Sequence, residues 1–398
     1  MSELSSTSTS PADLLEQTPL TAHLLAQSPA LPIAPYCGAQ TIESFAGSGP
    51  ELAALTGRAG VYDLGYRAFV RITGSDRVRW LNGMVTNTIV ALDEGKGNYS
   101  FLLNAQGRIQ GDANIYHFSD HLLLETDRSQ LAALVAHLDH FIIMDDVELQ
   151  PLDASTTAIG VAGPAATQIL SQLQLAIPQE NASAPSTGQS ATGQSATWQS
   201  AALDVTHIHS PLVPRFELRL PAAGAPALWA ALIDSGAVPS GSAAVEALRI
   251  LEGTPLYAVD IRDRHLAQET GQNRALNFNK GCYLGQEIVE RIRSRGNVHR
   301  HLRHLELAGP VPFAGTDLFL AVDAVQEGAD RKAEGHIRSA AALRLASGTH
   351  TFALAMMRAE AEVGDHTFTY TTEEKTGTAV ILSATPVLKM PPARNSDL

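Results

Sequence analysis

The sequence predicts an α+β protein in which two mixed units precede a strand-only C-terminal part. Three observations carry this expectation. Between about residues 41 and 240, short strand-like pieces alternate with segments of helical apolar period. A Ser/Thr/Gln/Ala/Gly stretch over 178–202 interrupts the second of these units. From His304 onward, short strands are separated by Gly and Asp turns, a spacing that suits a small β-barrel or sandwich.

The elements follow in order. Residues 1–40 read as a mobile lead rich in Ser, Thr, Pro and Ala, with one helical turn around Asp13 to Glu16. Strands are expected at 68–72 and 99–103 around a helix near 75–82, for which Gly74-Ser75-Asp76 supplies the turn and cap. Asn104 to Arg108 reads as the polar tip of a hairpin whose second strand covers 109–118. Leu131, Leu134, Val135 and Leu138 give 129–141 a helical period. A strand at 157–161, the Gly163-Pro164 turn and a helix at 165–173 open the second unit. The repeats Thr187-Gly-Gln-Ser-Ala and Thr192-Gly-Gln-Ser-Ala carry no apolar periodicity to offset their ordering entropy and read as a surface insertion. Strands at 204–208 and 215–220 and helices at 225–235 and 242–251 come next; a polar loop then runs to Lys280, and 286–292 starts a helix or a strand. The last strands are expected at 305–307, 318–321, 335–339, 351–357 and 366–370.

Composition narrows the function classes. The chain has 398 residues, 44% hydrophobic and 17% charged, with a formal net charge of −13. This length supports two or three domains with sizeable cores, and the acidic excess disfavours a general nucleic-acid or anionic-membrane coat. The two cysteines, Cys37 and Cys282, exclude a disulfide framework and cannot alone supply the four thiolates of an ordinary iron–sulfur site. No apolar run approaches the length of a bilayer span, and no Lys or Arg precedes Arg58, so neither a membrane span nor a targeting leader is expected and the cytoplasm is the expected compartment. G-x-x-x-x-G-K-[ST], G-x-G-x-x-G, H-E-x-x-H and G-x-S-x-G are all absent. Phosphate-loop hydrolysis, dinucleotide redox chemistry, zinc proteolysis and serine hydrolysis lose their usual evidence.

The informative stretch is Lys280-Gly281-Cys282-Tyr283-Leu284-Gly285-Gln286-Glu287. It resembles the signature of the YgfZ family of folate-binding proteins, relatives of the glycine cleavage aminomethyltransferases that serve iron–sulfur cluster assembly or repair. Further similarity lies in Leu248 to Pro255, Val259-Asp260-Ile261, Gln268-Glu269, Val61 to Leu64, Leu81 to Asn87 and Leu103 to Arg108. The resemblance covers about residues 45–385. It implies a three-part ring around a central folate channel: a first α+β unit from 41–150 and 240–300, a second from 151–239, and a C-terminal β-barrel over 301–388.

The resemblance also assigns candidate residues. A pterin presents an amino group and a ring N–H side by side, so a carboxylate is its natural bidentate reader. Glu217, within Phe216-Glu217-Leu218, is similar to the segment carrying the aminomethyltransferases' pterin-reading carboxylate; the alternative is a solvent-facing Glu on an alternating strand. Asp112 falls where those enzymes have an Asp-Asp pair that includes the catalytic carboxylate, and it has an equal reading as a hydrogen-bonded structural residue. Cys282, beside Lys280 and before a helix start, is expected to be a functional thiol, against the general tendency of free Cys to act as a small buried hydrophobe. Asn104, Arg249, Lys280, Tyr283, Gln286 and Glu287 complete the expected folate-binding set, and no metal site is expected. Cys37 matches nothing. The arginines from Arg291 to Arg303 read either as the solvated face of a strand or as a binder of a folate polyglutamate tail or RNA.

The implied function is that of a tetrahydrofolate-binding accessory protein for iron–sulfur clients or assembly partners. The alternatives are a folate-dependent aminomethyltransferase and a ligand-free interaction scaffold. Classical turnover is not expected; any turnover would be one-carbon transfer.

Overall fold

In the computed structural model, residues 15–152, 155–186, 202–296, 298–321, 332–345, 348–373 and 375–386 are described. Before the first sheet come α1 (Pro19–Gln27), a hairpin of β1 (Ile33–Tyr36) and β2 (Ala39–Ile42), α2 (Ser48–Gly57) and β3 (Gly60–Asp63). The expected mobile lead is therefore structured from its second half onward. Thr18 caps α1 by accepting from the Thr21 backbone N–H, Pro19 fits the first helical position, and Leu20 is fully buried. Residues 1–14 lie outside the described residues.

The first sheet comprises β4 (Arg67–Thr73), β5 (Gly97–Leu103), β6 (Ile109–His117), β7 (Leu122–Asp127) and β8 (Glu148–Pro151), in the order β5-β6-β7-β4-β8. Two helices punctuate it, α3 (Arg77–Asn82) and α4 (Arg128–Asp139). On β6, Ile109, Ala113 and Ile115 point to a buried apolar face while Asp112 and Asn114 occupy the other, as the period of two requires. Leu134 and Leu138 of α4 close the apolar face together with Ile72, Leu122 and Leu124.

The second sheet has the order β10-β11-β12-β9-β3-β13. Its remaining strands are β9 (Thr156–Ala162), β10 (Ala182–Ser186), β11 (Leu203–Ile208), β12 (Arg215–Pro221) and β13 (Val238–Pro239), with α5 (Ala166–Gln172) and α6 (Ala225–Asp234) between them. β3, from the part of the sequence expected in the first unit, pairs here with β9. Phe216, Leu218 and Leu220 of β12 enter the core beneath α5 and α6, which sends Arg215, Glu217 and Arg219 to the opposite face. Of the stretch at 178–202, read as a surface insertion, Ala182–Ser186 instead form β10, paired with β11, and 187–201 lie outside the described residues.

Next come α7 (Ser242–Glu252), the loop to Lys280, and α8 (Gln286–Arg295). α7 is buried through most of its length and packs on α2 and on the barrel strands. It ends at Gly253, whose φ of 70° is the left-handed turn that glycine adopts without a Cβ penalty. The final part is a closed barrel, β14-β17-β16-β15-β18-β19, which settles the choice between barrel and sandwich. Its strands are β14 (Arg300–Ala308), β15 (Asp317–Leu320), β16 (Gly335–Leu345), β17 (Gly348–Arg358), β18 (Thr367–Thr371) and β19 (Thr376–Ile381). No helix of the described residues is long and apolar enough to cross a membrane.

Candidate functional site

The polar faces of the two sheets meet around an open cavity with about 150 Å³ of free space. Tyr36 and Cys37 from the β1–β2 turn, Tyr62 of β3, Tyr99 of β5 and Arg249 of α7 wall it, together with Thr254 to Leu256 and Arg274 from the long loop. Gly160 allows one wall to close. A Cβ there would lie 2.1 Å from the Tyr62 ring, so only a glycine lets that ring lie flat across the neighbouring strand. We expect Gly160→Ala to push Tyr62 out of place and lower the melting temperature by several degrees; an unchanged melt would show that the ring has room to move.

One side of the cavity holds a charged cluster. Arg67 donates from Nε to Glu125 at 2.9 Å and from Nη1 to Asp127 at 2.5 Å, and Asn114 donates to Glu125 at 3.4 Å. Glu217 joins through a carboxyl–carboxyl hydrogen bond to Glu125. Burial and then the charge of Glu125 push Glu217 well above the usual carboxylate range, so it keeps its proton. Burial also opposes the charge on Glu125, but Arg67 and the hydrogen bonds from Glu217, Arg67 and Asn114 outweigh it and hold that carboxyl low. The two carboxyls thus share one proton beside one guanidinium.

Across the cavity the Tyr99 hydroxyl donates to Asp112 at 2.6 Å, and Gln130 donates to the other carboxylate oxygen at 2.8 Å. The Arg274 guanidinium lies 4.2 Å from the centre of the Tyr99 ring. Asp112 is therefore held by two donors on a rigid strand while still facing the cavity. Burial pushes the Cys37 thiol up, followed by the charge of Asp127, so Cys37 lines the cavity as a neutral thiol.

Of the nine residues expected from the sequence, Asp112, Glu217 and Arg249 line this cavity. Arg249 has its guanidinium committed to Glu246, to Asp260 at 2.7 Å and to the Thr254 carbonyl at 3.1 Å, which makes it a brace of the wall. The other six lie elsewhere. The Asn104 side chain accepts from the backbone N–H groups of Gln106 and Arg108 and shapes the hairpin tip. Gly285, at φ 80°, fits against that tip, where a Cβ would lie 2.5 Å from the Asn104 carbonyl. Tyr283 is buried among Phe101, Leu103 and Val289, the Gln286 side chain accepts from the Tyr283 N–H, and Glu287 is exposed.

Lys280 was expected to favour a thiolate at Cys282. Instead its ammonium donates to the carbonyls of Asn82, Val85 and Asn87, each at 2.6 Å, tying the signature loop to the segment after α3. Burial pushes its pKa down to about 7. We expect Lys280→Met to cost about 2–4 kcal/mol, because three carbonyls lose a cationic donor; urea titration measures it, and a loss below about 1 kcal/mol would show the clamp to be dispensable. Cys282 itself is exposed, outside the cavity. In the native protein iodoacetamide should therefore modify one thiol quickly, Cys282, and the second, Cys37, far more slowly until denaturant is added; equal rates for both would contradict the burial of Cys37.

The expected strand face at Arg291, Arg293 and Arg295 is part of α8, because Ile288, Val289 and Ile292 repeat at helical spacing and only Val289 is buried. The arginine run is also split. Arg293 stacks on Phe278, Arg300 pairs with Glu269, and Arg303 pairs with Glu362. The residues that sequence reasoning missed at the cavity, above all Arg67, Tyr99, Glu125, Asp127 and Arg274, carry no local signal beyond polar positions on alternating strands. Among the described residues no group of three or more His, Cys, Asp or Glu could hold a metal ion.

Two sheets that meet at a polar, tyrosine-walled cavity, followed by a closed barrel, define a class already represented among solved proteins. The glycine cleavage system aminomethyltransferase T from Bartonella henselae superposes with a TM-score of 0.78 at 19% identity, over 94% of this chain and 100% of that one. Residues 34–280 match the family model described as the GCVT N-terminal domain, and the chain belongs to that family. Among relatives, an Arabidopsis thaliana protein described as a chloroplastic transferase is 27% identical over 271 residues, covering 68% of this chain. The chain spans 61% of that relative's length. An aminomethyltransferase of Anoxybacillus flavithermus is 26% identical over 299 residues, covering 70% of this chain and 78% of the relative.

Proposed function

We propose that the cavity binds a reduced folate and that the protein is a tetrahydrofolate-binding accessory factor of the YgfZ type. The observation that carries the reading is the buried Glu217–Glu125 pair within a cavity walled by Tyr36, Tyr62, Tyr66 and Tyr99. Glu217, once ionised, presents two acceptors to the adjacent amino and ring N–H groups of a pterin, and the tyrosines supply flat apolar surface for its rings. Asp112 is placed to accept a proton or a hydrogen bond from the ligand. Support for iron–sulfur clients rests on Cys282, an exposed thiol in the signature loop that a partner could reach without entering the cavity.

Calorimetry tests the folate half of this reading. Tetrahydrofolate or its formyl derivative should bind in the micromolar range, about 8 kcal/mol. No heat and no thermal shift with either would end it. Cys282→Ser tests the other half: folate binding and melting should stay native while iron–sulfur enzyme activity fails to recover in cells lacking this factor. Full complementation would remove the thiol from the mechanism.

A second reading, aminomethyl transfer, draws on Asp112 facing the cavity and on relatives named as aminomethyltransferases. Reconstitution with the other glycine cleavage components discriminates. Methylenetetrahydrofolate formed at a rate typical of such enzymes would favour transfer over the accessory role.

A further inference from the structure

A second pocket, of about 400 Å³, opens on the barrel where β14, β16 and β17 end, and none of its residues lines the central cavity. His299, Arg300, Lys332, His336 and Arg358 line it, with no carboxylate among the described lining residues. In a chain of net charge −13 such a lining is a pronounced local inversion. Carboxylates stand behind three of the five: Glu269 at 2.9 Å from Arg300, Asp317 at 2.5 Å from His336 and Glu360 at 3.6 Å from Lys332. Among the described residues no carboxylate pairs with Arg358 or His299; the Arg358 guanidinium donates from Nε to the Ala333 carbonyl at 3.1 Å.

The positive field extends past the pocket through Arg300. Burial and then the charges of Arg300, Arg338, Arg264 and Arg262 push the buried His265 down to about 3, so the ring is neutral. Arg338 donates to the Val259 carbonyl at 2.8 Å, while its buried Nε finds no partner. Arg262 and Arg264 are exposed on the loop 262–264 with Asp263 between them, and the charge of Asp260 also acts on Arg338, so four guanidiniums face three carboxylates, Asp260, Asp263 and Glu269. Like charges gathered with too few counter-charges raise each other's energy, and a multiply charged anion relieves that cost.

We propose that this pocket and the nearby arginines bind a chain of two or more phosphate groups, with Arg358, Arg300 and Lys332 inside the pocket and with Arg262 and Arg264 adding to the positive field around Arg300. Phosphate is favoured because fixed guanidinium forks offer paired donors to each phosphoryl group. The phosphates of a free di- or triphosphate and those of a nucleic-acid strand share this chemistry.

The full-length protein is titrated calorimetrically with pyrophosphate, with tripolyphosphate, with a single-stranded oligonucleotide and with penta-γ-glutamate, at low and at moderate salt. The expected result is binding of the phosphate compounds that weakens as salt rises. Arg358→Gln and Arg262→Gln, both at exposed positions, should each weaken it about tenfold while melting and the central cavity's folate affinity stay unchanged. Tighter binding of tripolyphosphate than of the oligonucleotide assigns the site to a small ligand, and the reverse order assigns it to a nucleic-acid backbone. Binding of penta-γ-glutamate alone, binding insensitive to both substitutions, or no binding of any probe overturns the proposal. Folate titration of the same samples keeps this outcome separate from the fate of the central cavity.

Discussion

Arg67→Met is expected to destabilise the protein by about 3–5 kcal/mol, because it leaves two buried carboxyls without their cation. Among the described residues Arg67 is the one side chain that hydrogen-bonds both Glu125 and Asp127, and both acids are almost fully buried. Methionine keeps much of the volume, so loss of packing contributes little. The loss should shrink as pH falls, since protonation then neutralises the abandoned carboxylates. For Glu125, whose folded carboxyl sits below the usual range, the sign is definite: its stabilisation is present above the unfolded value and is lost as pH falls through the folded one. Guanidinium titrations of both proteins at pH 7 and pH 4 measure this. A loss under about 1 kcal/mol at pH 7, or a loss that grows toward pH 4, would mean that the cluster is not held by Arg67.

The second large effect belongs to Glu217. Its folded carboxyl lies above the usual range, so the folded chain holds this proton more tightly than the unfolded chain. The resulting stability is present below the unfolded value and fades as pH rises through the folded one. A pterin that donates two hydrogens requires the ionised form, so folate binding should release a proton and tighten as pH rises toward the folded value. Glu217→Gln imitates the protonated acid. It should keep or slightly raise stability at neutral pH, weaken folate binding about 10- to 100-fold and remove the pH dependence. Calorimetry in buffers of different ionisation enthalpy counts the proton directly. Native affinity in the glutamine variant would remove Glu217 from the binding site.

Much of the architecture was legible because it rests on period and punctuation. Phe216-Glu217-Leu218 shows an alternating strand with a lone carboxylate on its polar face, and that carboxylate does face the cavity. What escaped is non-local. Arg67, Tyr99, Glu125 and Arg274 come together only after strands far apart in sequence have paired, and no local pattern specifies that pairing. The start of α1 was readable in Thr18-Pro19, a cap followed by a proline, yet the Ser- and Thr-rich residues before it hid that signal within one composition. The arginines of α8 misled for a different reason. Charges at 291, 293 and 295 mimic the alternation of a strand, whereas Ile288, Val289 and Ile292 keep the helical period.

The pairing of β10 with β11 has a practical consequence. Ser186 stands opposite Leu203, so the chain leaves the sheet and re-enters it about 5 Å away, one strand spacing. Whatever lies between those residues has no distance to bridge, and β10 is the outermost strand of its sheet. The position therefore behaves as a splice point. Its contents can be shortened to a two-residue turn or exchanged for a fluorescent label or a whole folded domain, and a change in length alters closure entropy only logarithmically. A reporter placed there would mark the protein in a cell while leaving the central cavity, the exposed thiol and the basic pocket all free to engage.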